Sequence, residues 1–153
     1  MVGCEHERSL RLMAEVAALY VGEPVKVQVL PLEADALGEV EYTGGGWTVG
    51  LRCDMWRDPS ELAETFLHEV AHVVLGHVAH RVIETPRYNL REIERAADGA
   101  SGLAGDFLAL MALKGKANER EADDWARVEL WRLNKRLKAN QGRTFTETLA
   151  VLG

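Results

Sequence analysis

The chain has 153 residues, enough for a single domain with a hydrophobic core of its own. Acidic residues outnumber basic ones by 24 to 18, and the resulting net charge of −6 argues against sequence-independent nucleic-acid binding by the chain as a whole. Two cysteines are too few for a disulfide framework, so we expect a cytoplasmic location. No apolar run approaches the roughly 18 residues that cross a bilayer, so no membrane partner is expected.

The first third of the chain has the pattern of a helix followed by a small sheet. Apolar residues recur at helical spacing over about 6–20. Valines alternate with polar residues over 25–29, which predicts a strand. Alternation over 37–43 and 47–53, on either side of three consecutive glycines, predicts a hairpin. Together with the helices expected later in the chain, these patterns predict an α+β fold with a small antiparallel sheet.

A strong helix start follows the predicted hairpin. Asp58 is a suitable N-cap, Pro59 suits the first helical position, and Glu61 lies three residues after the cap. The apolar pattern carries this helix to about Val78 and covers most of its circumference, which is typical of a buried helix. Beyond Pro86 the pattern is weaker.

The last part of the chain is predicted to be helical in pieces. Short helices are expected over 90–98 and 105–114, around Gly99 and Gly102. A long helix is predicted from about Asn118 to Lys138. The tail after residue 142 is predicted to add one short helix.

The helix that starts at Asp58 carries the sequence HEVAH, an HExxH motif in which the histidines are His68 and His72. Residues four apart lie about 40° apart around a helix, so both imidazoles can reach one metal ion. Glu69 falls about 60° beyond His72, where it can act as a general base toward a water molecule. The motif therefore predicts a zinc site and the hydrolysis chemistry that zinc supports.

A catalytic zinc site usually needs a third protein ligand, and the sequence offers several candidates. His77 would lie about 180° from His68 on a continuing helix and would face away. His80 follows shortly after. We expect both to be surface or helix-end histidines rather than ligands.

The preferred third ligand is Glu119. On the predicted last helix an apolar stripe runs along one face, and Glu119 projects onto its middle, whereas Glu121 points about 140° away. A carboxylate facing the core needs a partner, which a metal would provide. Asp123 lies one turn later and is placed to orient a ligand histidine. The members of the stripe are Ala122, Ala126, Leu130, Leu133 and Leu137.

The segment HEVAHVVLGH, residues 68–77, resembles the HExxHxxxGH segment of the ImmA/IrrE family of bacterial metallopeptidases. The later Glu119 and Asp123, spaced as ExxxD, are similar to the glutamate helix of gluzincins. The resemblance covers about residues 6–135 and implies a zincin-like fold in which an HExxH helix packs on a C-terminal glutamate-bearing helix. Together with the chain length, it predicts one such domain over residues 1–153. It also implies Zn2+ as the cofactor, with His68, His72 and Glu119 as ligands and Glu69 as the general base.

The activity implied by the resemblance is that of a zinc endopeptidase with a specific protein substrate, such as a transcriptional repressor or an antitoxin. A strand near the cleft, with 47–53 as the candidate, could hold an extended substrate by strand addition. The candidate oxyanion donors are His80, Tyr88 and Tyr42. Two alternatives stay open: a catalytically silent binding module with this fold, and a scaffold without metal whose histidines pair with carboxylates.

Overall fold

The structure is a computed structural model that describes residues 6–78 and 102–153, the stretch 102–112 by its backbone alone. Three strands and four α-helices lie within these described residues, so the predicted α+β class is confirmed. The elements are α1 Glu7–Val21, β1 Val25–Leu30, β2 Gly38–Thr43, β3 Gly46–Arg52, α2 Pro59–Val74, α3 Gly102–Gln141 and α4 Phe145–Leu152. A 3-10 turn, Cys53–Arg57, joins β3 to α2.

The chain divides into two compact units. The first consists of Met1–Val82 and Ala122–Gly153, and it holds the sheet, α1, α2 and α4. The second is Ile83–Glu121, of which the structure describes 102–121, the first part of α3. A compact unit is not in itself an independent domain, so a single domain over 1–153 stays a prediction.

The sheet is mixed, with the strand order β1-β3-β2. The predicted hairpin is present: β2 runs antiparallel to β3, with Val40 opposite Val49. The prediction of an antiparallel sheet is wrong at β1, which runs parallel to β3 and places Val27 beside Val49. Alternation along a strand shows which residues share a face but does not show which strands become neighbours. The chain places β3 in the centre, where Trp47 and Leu51 are almost fully buried.

The core lies between the sheet and the helices. α1 contacts β1, α2 contacts β2 and β3, and α4 contacts α2. The rings of Phe66 on α2 and Phe145 on α4 lie 5.9 Å apart between centroids. Ser9, a polar residue fully buried in this region, accepts a hydrogen bond from Trp56 at 3.0 Å and donates to a backbone carbonyl at 2.9 Å. No helix within the described residues is both long and apolar enough to cross a bilayer.

α2 begins where the sequence predicts and ends earlier. The Asp58 side chain accepts hydrogen bonds from the backbone N–H groups of Ser60 and Glu61 at 3.0 and 3.3 Å, which caps the first turn. The helix ends at Val74 instead of about Val78. Gly76 has φ +74°, a left-handed conformation that turns the chain out of the helix and that only glycine adopts at low cost.

α3 is one continuous helix of 40 residues, Gly102–Gln141. The predicted break between residues 114 and 118 is wrong. Gly115 costs a helix only about 1 kcal/mol relative to alanine, and its neighbours are good helix formers. The predicted helix over 90–98 lies outside the described residues.

The C-terminal half of α3, from Ala122 onward, belongs to the first unit, and its apolar stripe contributes to the core of that unit. Ala122 and Ala126 are fully buried, and Leu133 is 9% exposed. Tyr20 of α1 donates a hydrogen bond to Glu129 at 3.4 Å, and burial, aided by that carboxylate, raises the pKa of the Tyr20 phenol. The predicted tail helix is confirmed as α4, and its Thr144 cap accepts a hydrogen bond from a backbone N–H at 3.0 Å.

Candidate metal centre

α2 places the two motif histidines side by side. The Nε2 atoms of His68 and His72 lie 3.1 Å apart, and the rings meet edge to face with centroids 4.8 Å apart. This arrangement follows from the four-residue spacing on one helix. Two ring nitrogens that share one zinc at about 2.0–2.1 Å each must lie within roughly 4 Å of each other, so the pair meets the spacing a single ion requires.

Glu69, on the same helix as these rings, is largely buried and has a close neighbour on β2. The residue is 7% exposed and His72 is 9% exposed, so the motif lies in the packed part of the helix. A Cβ atom added to Gly38 of β2 would lie 3.0 Å from Cγ and 3.1 Å from Oε1 of Glu69. The backbone of β2 therefore borders the glutamate directly, a neighbour that no pattern in the sequence predicts.

Asp123 of α3 reaches His68 from 55 positions along the chain. Its Oδ1 atom lies 2.7 Å from Nδ1 of His68, a hydrogen-bond distance. A carboxylate accepts hydrogen bonds, so this contact favours the tautomer with hydrogen on Nδ1 and leaves the Nε2 lone pair facing His72. The predicted orienting residue thus lies against a predicted ligand.

Glu119 completes a group of described residues that could hold a metal ion. One ligand atom each from His68, His72 and Glu119 lies within 4.8 Å of the others. Glu119 itself is exposed, and among the described residues the buried part of the stripe begins at Ala122. Glu121 is also exposed and is not part of the group that the described residues form.

His77 lies against the other motif histidine. Its Nδ1 atom is 2.9 Å from Nδ1 of His72, and its backbone N–H donates to the His72 carbonyl oxygen at 2.8 Å. The argument that His77 faces away assumed a helix continuing to Val78, whereas the chain turns at Gly76. A glycine just after a helix was the signal that could have revealed this contact.

The donor set fits zinc. Two imidazole nitrogens and one carboxylate oxygen are the ligands of many catalytic zinc sites. His68 and His72 each have a hydrogen-bonding side chain at Nδ1, the usual arrangement around metal-binding histidines. The residues that would hold the ion are His68, His72 and Glu119.

Of the candidate oxyanion donors, only Tyr42 lies within the described residues. It belongs to β2, and its ring meets Trp47 edge to face at 5.0 Å. His80 and Tyr88 lie outside the described residues. No family model matches the chain, and neither the curated proteins nor the solved structures contain a significant match.

Proposed function

We propose that this protein is a zinc-dependent endopeptidase. The observation that carries the proposal is the arrangement on α2: two imidazole Nε2 atoms 3.1 Å apart, with the buried carboxylate of Glu69 on the same helix. The contact from Asp123 to His68 supports it, because metal-binding histidines are commonly oriented by a carboxylate. Glu119 is the proposed third ligand.

Each residue has a distinct role in the proposed reaction. Zinc, when bound, supplies Lewis acidity that polarises the peptide carbonyl and acidifies a water molecule. Glu69 accepts a proton as the oxygen of that water attacks the carbonyl carbon. It then passes the proton to the amide nitrogen as the C–N bond breaks, so the products are a carboxylate and a free amine. Asp123 keeps hydrogen on Nδ1 of His68 throughout.

β2 is the strand we propose for holding an extended substrate. β3 cannot take that role, because it is the central strand and pairs with a neighbour on each side. β2 lies at an edge among the described strands and borders Glu69 at Gly38. An extended peptide could pair with such an edge through its backbone. The resemblance of residues 68–77 makes a repressor or an antitoxin in the cytoplasm the proposed substrate.

The first test is metal content. Protein purified without chelator should contain about one zinc per chain, because catalytic sites of this donor type bind one ion. His68→Ala and His72→Ala should each abolish the zinc. Wild-type protein free of zinc after such a purification would contradict the proposal.

The second test separates an enzyme from a binding module. A library of natural peptides is incubated with the protein, and new N-termini are identified by mass spectrometry. Wild-type protein should cut at defined positions, and Glu69→Gln should retain zinc and lose at least about 100-fold in rate, since a general base contributes roughly 10²–10⁴-fold. Glu64→Gln, an exposed glutamate on the same helix, is the matched control and should cut normally. Zinc without cleavage in the wild type would favour the binding module.

A further inference from the structure

We propose that His77 is a positioning residue for the metal centre, which holds His72 in the orientation and tautomer that metal binding requires. The inference rests on the proposed zinc site and adds a residue to it. His77 is not one of the three residues that would hold the ion, and it does not touch the reacting atoms. It acts through His72.

His77 and His68 approach different nitrogen atoms of the His72 ring. Nδ1 of His72 is 2.9 Å from His77, and Nε2 of His72 is 3.1 Å from His68. The two nitrogens of one imidazole point in diverging directions. A ligand bound at Nε2 and a partner at Nδ1 can therefore be satisfied together, which is the arrangement expected of a supported metal ligand.

The backbone holds His77 where this contact forms. The helix ends at Val74, and Gly76 turns the chain in the left-handed conformation with φ +74°. The N–H of His77 then donates to the carbonyl of His72 at 2.8 Å, so backbone and side chain meet the same residue. The His77 side chain is partly buried, and its ring centroid lies 5.2 Å from that of His72.

The proposed role of His77 determines the tautomers of the His72 and His77 rings. When Nε2 of His72 binds a metal, its hydrogen must be on Nδ1, and the 2.9 Å contact then has His72 donating to Nδ1 of His77. His77 must in turn carry its hydrogen on Nε2. Asp123 receives the corresponding hydrogen from His68 at 2.7 Å, so a carboxylate supports one histidine and a neutral imidazole supports the other.

The first experiment measures zinc affinity by competition with a chromophoric chelator. His77→Leu removes the acceptor and should weaken zinc binding by about 10–100-fold, the usual cost of losing an outer-shell partner. His77→Asn can present an amide oxygen near the position of Nδ1 and should restore most of the affinity. His6→Leu, a histidine remote from α2 in sequence that stacks on Trp56, is the control and should bind zinc as the wild type does.

Cobalt absorption and thermal unfolding in chelator separate positioning from a structural role. His77→Leu should alter the visible spectrum of the Co2+ form, and His77→Asn should recover it. A lower midpoint of unfolding without metal, with unchanged zinc affinity and cobalt spectrum, would overturn the inference. Wild-type protein that binds no zinc overturns the proposed function itself, and the inference with it.

A third measurement needs no variant and so does not depend on the folding of one. Nitrogen-15 NMR of the zinc-loaded wild type should show His72 with hydrogen on Nδ1 and His77 with hydrogen on Nε2 alone. Hydrogen on Nδ1 of His77 would make His77 the donor. That result would contradict the proposed role.

Discussion

α2 and α3 both contribute to the candidate metal centre, yet they are built differently. α2 has 16 residues, and half of them are buried, including Phe66, Glu69 and His72. From residue 113 to its end, α3 buries only a narrow stripe, in which Ala122 and Ala126 are fully enclosed. α2 is thus embedded in the core, whereas α3 touches the core along one line.

The difference separates two ways of holding a functional side chain. On α2 the packed surroundings restrict the motif, as the close approach of Gly38 to Glu69 shows. On α3 both Glu119 and Asp123 are exposed. The small buried side chains of Ala122 and Ala126 set the distance between the helix backbone and the core. The exposed ion pair between Arg127 and Glu64, at 3.5 Å, contributes little, since such pairs are worth about 0–1 kcal/mol.

The largest expected difference between the helices is in core packing. Phe66→Ala on α2 should lower the free energy of unfolding by about 3–5 kcal/mol, because a fully buried aromatic ring is lost and a cavity is left. Trp131→Ala on α3 removes a ring that is 64% exposed, and it should cost less than about 1 kcal/mol. Denaturant titrations in chelator measure both. Equal losses of stability in the two variants would contradict the view that α2 is embedded in the core and α3 is not.

The next effect tests what α3 contributes to the centre. Asp123→Ala should weaken zinc binding by about 10–100-fold, or about 1.4–2.7 kcal/mol, because His68 loses its orienting carboxylate. Asp124→Ala removes the adjacent exposed carboxylate and is the matched control. Competition with a chromophoric chelator gives both affinities. The contact between α3 and His68 would lose its assigned role if the two variants bound zinc equally well.

A third substitution tests how tightly the apolar stripe of α3 is packed at its alanines. Ala126→Leu inserts three carbon atoms where the helix meets the core and should destabilise the protein by about 1–3 kcal/mol through overpacking. Ala139→Leu, on the exposed part of the same helix, should change stability by less than about 0.5 kcal/mol. Thermal unfolding of the metal-free forms compares them. A harmless Ala126→Leu would mean that α3 is free to move away from the core.

The smallest effect concerns how α2 begins. Asp58→Ala removes a cap that accepts two backbone hydrogen bonds and should cost about 1 kcal/mol. Asp35→Ala, an exposed aspartate between β1 and β2, is the control for loss of a negative charge. Chemical denaturation at constant ionic strength measures the difference. The free energies of unfolding of the two variants should differ by most of the roughly 1 kcal/mol that the cap contributes. Equal free energies would show that packing alone determines the start of α2.

Elements defined by neighbouring residues were predictable. The cap at Asp58, the glycine turn of the hairpin and the period of the apolar residues predicted α1, the strands and the start of α2. The sequence mispredicted two helix boundaries, the end of α2 and a break near residue 115, and both depend on small local energies. Gly76 ends α2 early through a left-handed turn, and Gly115 fails to end a helix, because its cost of about 1 kcal/mol is outweighed by its neighbours.

The candidate site divides in the same way. The pairing of His68 with His72 follows from the pitch of one helix and needs no other part of the fold. Phase along the predicted last helix placed Glu119 and Asp123 on one side of that helix, but it did not show that both residues are exposed. A helical wheel describes directions around one axis and does not say how far a second helix lies away.

The sequence by itself determined that α2 would be a buried helix with two histidines and a glutamate on neighbouring faces, because capping and helical periodicity act over a few residues. Only the tertiary structure decided that β3 is the central strand, that β2 borders Glu69, and that the two Nδ1 atoms of the motif meet Asp123 and His77. These contacts depend on chain reversal and on packing between distant segments. Their energies belong to pairs of surfaces and not to any local pattern.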